Sequence, residues 1–273
     1  MLKECPASYN YYIDDNEIVR TLSGNLTFDS PPKSLLSQDL NLLEGLSANN
    51  NGFLVCDFLN IMTIEKIITA LFKFLSEKFE DHINKENLND FFINMNDEIF
   101  HKKMKDIYLG IPFSRLPLSV DFFEDWASKI LKKKVKLFCI TKEPSLLIRI
   151  VRPFANDFNP PHKDIYIESL RNGINCFMPI LGVNQNSSLP IIPKSHKWLE
   201  SETERTELNP LVDGLKFSVA AMISKKDLTP LKLTRPKVNY GQVMLFSPYC
   251  IHGGGKNLSK DTRISFEFRF KIK

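Results

Sequence analysis

The sequence lacks the features of a secreted or membrane protein. Its N-terminal segment, MLKECPASYNYYIDDNEIV, has no apolar signal-peptide core, and no uncharged apolar run approaches the length of a transmembrane helix. The 5 cysteines are dispersed and form no CxxC pair, which argues against a disulfide framework or a zinc knuckle. We therefore expect a cytoplasmic protein with no membrane association.

An excess of charge of one sign is also missing. Lys and Arg total 36 and Asp and Glu total 32, for a formal net charge of +4. An excess this small and scattered does not predict a nucleic-acid partner. The chain has no internal repeat and no low-complexity tract. We expect a small-molecule substrate as its partner, and the composition leaves the oligomeric state open.

Phenylalanine is abundant, with 21 residues in a chain of 273, and indicates a well-filled core. Residues 1–50 are rich in Asn, Ser, Asp and Pro and predict an irregular lead-in. Residues 51–273 are long enough for a single domain, with a helical part at about 60–131 and a β-rich part at about 134–271.

Apolar periodicity divides this domain into two kinds of structure. Residues 63–80 and Asp121 to Leu131 show helical spacing, and several short apolar runs indicate strands. These predicted strands cover residues 52–60, 135–141, 146–152, 174–181, 189–193, 242–249 and 263–270. The pattern favours an α+β protein whose strands close as a jelly roll, although composition does not separate a jelly roll from another sandwich.

The first candidate site lies in PPHKDIYIE, at residues 160–168. In an extended segment, His162 and Asp164 project to the same side because strand side chains alternate. One imidazole and one carboxylate then converge on one point. An HxD triplet arises often by chance, so this pair needs support from elsewhere in the chain.

That support comes from SPYCIHGGGKNLSKDTRIS, at residues 247–265. His252 follows an apolar strand and precedes three glycines, which let other groups approach its backbone. Two histidines and one carboxylate form the facial triad of non-haem iron oxygenases and leave three coordination positions open. A structural zinc site would instead be closed by four protein ligands, usually including cysteine.

A third element lies eleven residues beyond His252. Arg263 and Ser265 alternate onto one face of the last predicted strand, away from its apolar residues. A guanidinium fork and a hydroxyl together suit the distal carboxylate of a dicarboxylate ligand. The alternative for Arg263 is a surface charge pair with Glu267.

These segments together resemble the phytanoyl-CoA dioxygenase-like family of Fe(II)- and 2-oxoglutarate-dependent oxygenases. The resemblance covers roughly residues 52–270 and includes the strand and helix at Gly52–Leu75, the HxD, LPIIPKSHKW and NYGQVMLFSPYCIHGGGKNLSKDTRISFEFRF. The family usually has Pro-Gly-Ser-His in the third of these segments, and lysine stands at the glycine position here, as Lys194.

The resemblance implies a double-stranded β-helix, a cupin-like core with helices from the N-terminal half packed on one sheet. It implies Fe(II) on His162, Asp164 and His252, and 2-oxoglutarate held by Arg263, with Ser265 on the same face of the strand as a second expected contact. Dioxygen would be the other co-substrate, and hydroxylation of a small polar biosynthetic intermediate would release succinate and CO2. Related halogenases replace the aspartate by a small residue, so Asp164 favours hydroxylation.

Further side chains are candidates for contact with substrate or with the metal-end carboxylate of 2-oxoglutarate: Arg149, Arg152, Tyr166 and Asn175. Arg149 and Arg152 project to opposite faces of their strand, so at most one of them is expected to face the site. Two alternatives stay open at this point. One is a cupin-like isomerase or lyase that uses the same ligands without 2-oxoglutarate, and the other is an inactive binding module of the same fold.

Overall fold

The computed structural model describes residues 3–27, 42–46, 50–107, 109–139 and 142–273. The α-helices are α1 (Ile61–Phe79), α2 (Leu88–Ile93), α3 (Asp97–Ile107) and α4 (Val120–Leu131). The N-terminal strands are β1 (Lys3–Glu4), β2 (Ser8–Ile13), β3 (Asn16–Ser23), β4 (Asn25–Thr27) and β5 (Phe53–Asp57). The remaining strands are β6 (Ile111–Pro112), β7 (Val135–Phe138), β8 (Ser145–Val151), β9 (Gly173–Leu181), β10 (Thr203–Thr206), β11 (Leu211–Val212), β12 (Leu215–Lys216), β13 (Met222–Lys225), β14 (Leu231–Leu233), β15 (Gln242–Phe246) and β16 (Arg263–Ile272).

The predicted helices form because they combine an apolar stripe with a cap. In α1, Asn60 accepts a hydrogen bond from the amide of Thr63 at 2.9 Å, and the helix ends at Glu80 with a left-handed backbone. In α4, the side chain of Ser119 caps the amide of Phe122. The buried faces of these helices lie in the largest hydrophobic core of the described residues.

A seven-stranded sheet, in the order β5-β15-β9-β16-β8-β6 with β7 paired to β16, forms the other side of this core. The side chains of β16 alternate as predicted. Ile264, Phe266, Phe268 and Phe270 are buried in the core shared with the helices. Arg263 and Ser265 take the opposite face, because successive strand residues point to opposite sides. One face of the sheet therefore packs on helices, and the other is free to carry polar groups.

Two smaller sheets run in the orders β1-β4-β10-β13 and β12-β11-β3-β2-β14. They surround a second core that includes Tyr11, Val212 and Leu231. Many of these strands are only two to four residues long, which is why the apolar pattern did not reveal them.

The prediction of an irregular lead-in over residues 1–50 is wrong for residues 3–27, which form β1 to β4. Tyr9, Tyr11 and Ile13 are buried and alternate with more exposed residues along β2. Asp14 and Asp15 both have positive φ, at 46° and 69°, and join β2 to β3 as a tight hairpin turn. The rest of the predicted lead-in, at residues 1–2, 28–41 and 47–49, lies outside the described residues.

The strand predicted at residues 189–193 is also wrong. Only Ile191 makes isolated bridges there, to Thr234 and to His252. Pro190 and Pro193 have no amide hydrogen to donate, so this segment cannot continue a ladder. The strand predicted at 135–141 ends at Phe138, and residues 140 and 141 lie outside the described residues. Within the described parts of the chain, no helix combines the length and the apolarity that spanning a bilayer requires.

Candidate metal centre

The three predicted metal ligands form one buried cluster. They are His162, Asp164 and His252. One ligand atom from each side chain lies within 4.8 Å of the other two. Asp164 Oδ1 is 3.5 Å from His162 Nε2, and Asp164 Oδ2 is 3.9 Å from His252 Nε2. Two imidazole nitrogens and one carboxylate oxygen are a donor set that suits Fe(II) and leaves coordination positions open. The residues present therefore fit a single divalent ion.

The backbone brings the two histidines together. The amide of each donates to the carbonyl of the other at 2.9 Å, and they form an isolated antiparallel bridge. Asp164 then starts a short 3-10 helix, Asp164–Tyr166, rather than continuing an extended strand. The amide of Asp164 donates to the carbonyl of Pro248 at 3.0 Å, which holds this turn against the segment leading to His252.

Glycine is needed directly after His252. Gly253 has a φ of 86°, and a Cβ there would lie 2.9 Å from both Cε1 and Nδ1 of His162. A side chain at this position would strain the backbone and push the His162 ring out of place. The close approach expected from the glycine run is therefore confirmed at Gly253.

Each histidine has its second ring nitrogen tied to the backbone two residues earlier. His162 Nδ1 lies 2.8 Å from the carbonyl oxygen of Pro160, and His252 Nδ1 lies 3.0 Å from that of Cys250. A carbonyl only accepts, so both Nδ1 atoms carry the hydrogen and both Nε2 atoms are left for a metal. These are the outer partners that the sequence could not identify.

The electrostatics of the cluster favour the metal-binding forms of Asp164 and His252. Burial, together with the neighbouring His162, lowers the pKa of His252 to about 4. Burial by itself raises the pKa of Asp164, but the Arg269 guanidinium and the two histidines hold it well below its usual value. Neutral imidazole and ionised carboxylate are the states in which these side chains bind metal.

Sequence reasoning missed Arg269, which contacts the metal-site carboxylate directly. Its Nη2 donates to Asp164 Oδ2 at 3.0 Å, and its Nε donates to Asn175 Oδ1 at 2.9 Å. Asn175, predicted as a substrate contact, donates through Nδ2 to Asp164 Oδ2 at 2.8 Å. A signal was present, because Arg269 lies six residues after Arg263 and so shares its face of β16.

Arg263 and Ser265 lie on the face of the sheet that is turned away from the helices. Arg263 is 4% exposed, and its Nη1 donates to the carbonyl of Ser187 at 3.0 Å. Arg263 Nε and Ser265 Oγ are both buried and have no hydrogen-bond partner in the described part of the chain. Among the described residues, no carboxylate lies within ion-pair distance of Arg263, and burial lowers its pKa to about 10. The alternative considered for Arg263, a charge pair with Glu267, is absent, since Glu267 pairs with Arg149 instead.

Arg149, in β8, lies on the same face of the sheet as Arg263 and Ser265. It is the cross-strand partner of Ser265, and its Nε donates to Glu267 at 2.9 Å. Burial raises the pKa of Glu267, but the Arg149 guanidinium holds it below its usual value. The side chain of Arg149 is 27% exposed, which is more than that of any metal ligand.

Arg152 and Tyr166 are engaged with other residues. Arg152 Nε and Nη2 donate to Asp157, and Nη1 donates to the carbonyl of Met95. Tyr166 donates its hydroxyl to Glu200, which also accepts from the buried Lys163 at 2.8 Å. Neither contact favours the predicted role in substrate binding, which stays a prediction for both residues.

The turn at Lys194 and Ser195, which departs from the family pattern, contacts the backbone next to His252. Lys194 has a φ of 68°, a conformation that glycine adopts without strain. The next residue, Ser195, donates to the carbonyl of Ile192 at 2.7 Å and accepts from the amide of Ile251 at 2.8 Å. The serine therefore holds the residue immediately before His252, and the lysine keeps the backbone geometry of the turn.

The family model described as Phytanoyl-CoA dioxygenase (PhyH) matches residues 76–265, and the chain belongs to this family. Its fold is of the cupin type and β-rich, and the mixture of helices and sheets observed here agrees with that. The match contains His162, Asp164 and His252, together with Arg263 and Ser265. The resemblance seen in the sequence is thus confirmed at the level of the family and of a non-haem oxygenase.

Among the solved structures that are similar to this chain, AviO1 shares the fold at low sequence identity. AviO1 from Streptomyces viridochromogenes Tue57 is 11% identical, with a TM-score of 0.51 over 90% of this chain and 96% of that chain. The non-heme monooxygenase ThoJ, in a Ni complex, is 13% identical, with a TM-score of 0.46 over 82% of this chain and 75% of that chain. No curated protein matches the sequence.

Proposed function

We propose that this chain is an Fe(II)- and 2-oxoglutarate-dependent oxygenase that hydroxylates a small polar biosynthetic intermediate, on a double-stranded β-helix core. The proposal combines the family membership with the buried triad of His162, Asp164 and His252. Family membership by itself does not decide the co-substrate, because function depends on the site rather than on the fold.

The observation that carries the proposal is an arginine buried without an anion. Arg263 is 4% exposed and has no carboxylate within 4.0 Å among the described residues. Burying a cation is costly unless an anion or several acceptors compensate it. Among the described residues, Arg263 Nε and Ser265 Oγ both lack hydrogen-bond partners and lie on one face of β16, which supports a role for them in binding the distal carboxylate of a dicarboxylate.

The residues of the chain then have separate tasks. His162 and His252 offer Nε2, and Asp164 offers one carboxylate oxygen, to a single Fe(II). Arg263 and Ser265 orient 2-oxoglutarate from its far end. The ring centroids of Phe246 and His252 are 4.7 Å apart, so Phe246 shields this histidine from water. The ring centroid of Phe177 lies 5.7 Å from Cζ of Arg263. Iron bound at the triad would supply the chemistry that the side chains lack, the activation of dioxygen coupled to conversion of 2-oxoglutarate to succinate and CO2.

Two partly exposed charged side chains near Arg263 and Ser265 favour a polar substrate. Arg149 and Glu267 form an ion pair with side-chain exposures of 27% and 19%, next to the buried Ser265. A ligand that reaches this face meets a cation and an anion rather than an apolar wall. This supports a small polar or anionic substrate rather than a long acyl chain.

The proposal can be tested without the substrate. Purified protein reconstituted anaerobically with Fe(II) should, once exposed to air, slowly convert 2-oxoglutarate to succinate, and Asp164→Ala should abolish this turnover. The matched control is Asp157→Ala, a carboxylate in the same segment that pairs with Arg152. Iron binding with no succinate formed would favour a cupin-like isomerase or lyase, and failure to bind iron would favour an inactive module.

A further inference from the structure

We propose that Arg269 and Asn175 are positioning residues that occupy Oδ2 of Asp164 and so reserve Oδ1 for the metal. This inference rests on the proposed function, because it requires a metal ion at the triad. It assigns roles to two residues that the proposed chemistry has not used.

The geometry consists of a closed ring of hydrogen bonds between three side chains. Arg269 and Asn175 are directly opposed Cα partners on β16 and β9. Both donate to Asp164 Oδ2, from Nη2 at 3.0 Å and from Nδ2 at 2.8 Å. Arg269 Nε also donates to Asn175 Oδ1 at 2.9 Å, which fixes the amide so that its NH2 group faces Asp164.

Two donors on one oxygen leave the other oxygen for the metal. Asp164 Oδ1 lies 3.5 Å from His162 Nε2, and Oδ2, which accepts both hydrogen bonds, lies 3.9 Å from His252 Nε2. With Oδ2 held by the ring, the carboxylate can bind metal through only one oxygen. Chelation through both oxygens would use one of the three positions that a bidentate 2-oxo acid and dioxygen need. The ring therefore protects the open positions of the site.

The requirement for arginine follows from the same contacts. The guanidinium is planar and reaches two acceptors at once, Asp164 Oδ2 through Nη2 and Asn175 Oδ1 through Nε. A lysine would restore the positive charge but would act as a point charge and could not make this fork. A lysine variant therefore separates the effect of charge from the effect of geometry.

The other role open to Arg269 is a purely structural one, a brace between β9 and β16. A brace would affect the stability of the metal-free protein and leave the coordination of the metal unchanged. Metal affinity and the spectrum of the bound metal distinguish the two roles, because a structural brace does not alter them.

The test is an anaerobic titration of metal-free protein with Co(II), a spectroscopic substitute for Fe(II). The visible d–d bands of Co(II) weaken as its coordination number rises, so they report chelation by Asp164. We expect Arg269→Gln to weaken Co(II) binding by about 10- to 100-fold and to weaken these bands. Arg269→Lys should recover part of the affinity without restoring the spectrum. Lys271→Gln is the matched control, a cation of the same strand whose amino group lies 3.9 Å above the Phe138 ring.

Should Arg269→Gln not fold, Asn175→Ser removes only one donor to Oδ2 and is expected to weaken the d–d bands in the same direction. A lower melting temperature with unchanged Co(II) affinity and spectrum, in either variant, would overturn the inference and assign a brace. If the wild-type protein bound no Co(II), the proposed function itself would fail. Wild-type binding with no effect in the folded variants would reject this inference alone.

Discussion

His162 and His252 hold each other in place through their backbones, since the amide of each donates to the carbonyl of the other at 2.9 Å. Their ring centroids are 4.3 Å apart, and each Nδ1 is hydrogen-bonded to the carbonyl oxygen of the residue two positions earlier. The geometry of the metal site therefore depends on backbone segments that lie about ninety residues apart in the chain. A small change in either segment would misplace a ligand.

Gly253→Ala should weaken metal binding by at least about tenfold, because its Cβ would meet His162 Cε1 and Nδ1 at 2.9 Å. Gly214→Ala is the matched control, because Gly214 also has a positive φ, of 77°, but has open space around the position of its Cβ. Both variants should lose about 1–2 kcal/mol of stability from backbone strain. Isothermal titration with Co(II) and urea unfolding measure the two effects. Equal metal affinity in both variants would contradict the role of Gly253.

Ser265→Ala should weaken 2-oxoglutarate binding by about tenfold and leave stability unchanged or slightly higher, because its buried hydroxyl has no partner among the residues that the structure describes. Ser195→Ala should have the opposite pattern, with 2-oxoglutarate binding unchanged and stability lowered. Its hydroxyl has two backbone partners, at Ile192 and Ile251, so its loss should cost about 1–2 kcal/mol of stability. Anaerobic binding titrations and denaturant unfolding check both expectations. A large loss of stability in Ser265→Ala would show that the hydroxyl has a structural role.

Arg20→Met should destabilise the protein by about 3 kcal/mol, because it breaks a buried ion pair. Arg20 is 1% exposed, pairs with Asp213, and donates to the carbonyls of Asn156 and Phe158, just before the HxD segment. Arg115→Met is the control, since Arg115 and Glu77 form an exposed pair and should contribute less than about 1 kcal/mol. Urea unfolding of the two variants compares them. Similar midpoints would contradict the expectation that the buried Arg20 pair stabilises the protein more than the exposed pair of Arg115 and Glu77.

Lys163→Met should lower stability by about 2 kcal/mol, because it leaves Glu200 buried with one donor fewer. The Lys163 Nζ donates to Glu200 at 2.8 Å, and the side chain of Lys163 is 1% exposed. Although Lys163 stands between two ligands in the chain, its side chain pairs with a residue outside the triad, so Co(II) affinity should change by less than about threefold. Loss of metal binding without loss of stability would place Lys163 in the metal site.

Much of the site could be predicted, because its chemistry is local in the sequence. The HxD pair, the glycines after His252 and the alternation that puts Arg263 and Ser265 on one face are visible as patterns. Arg269 shares that alternation and could have been included. The role of Asn175 could not, because it depends on the register between β9 and β16, which only the folded structure supplies.

The errors in the predicted fold also occur where the local sequence pattern is weak or misleading. The long helices and central strands have strong periodicity and were found, with small differences at their ends. In β2, Tyr9, Tyr11 and Ile13 alternate with polar neighbours, but the polar composition of the surrounding segment hid this signal. The predicted strand around Ile191 had the right apolar composition, yet its prolines prevent a ladder.

The most direct test of the account is an anaerobic titration of the metal-free protein with Fe(II) and 2-oxoglutarate, followed by visible spectroscopy. We predict a metal-to-ligand charge-transfer band in the wild-type protein and no band in His162→Ala. Arg263→Ala should bind Fe(II) normally but require about 100-fold more 2-oxoglutarate, because the distal carboxylate loses a charged hydrogen-bond donor. Iron bound by the wild-type protein without such a band at saturating 2-oxoglutarate would contradict the account.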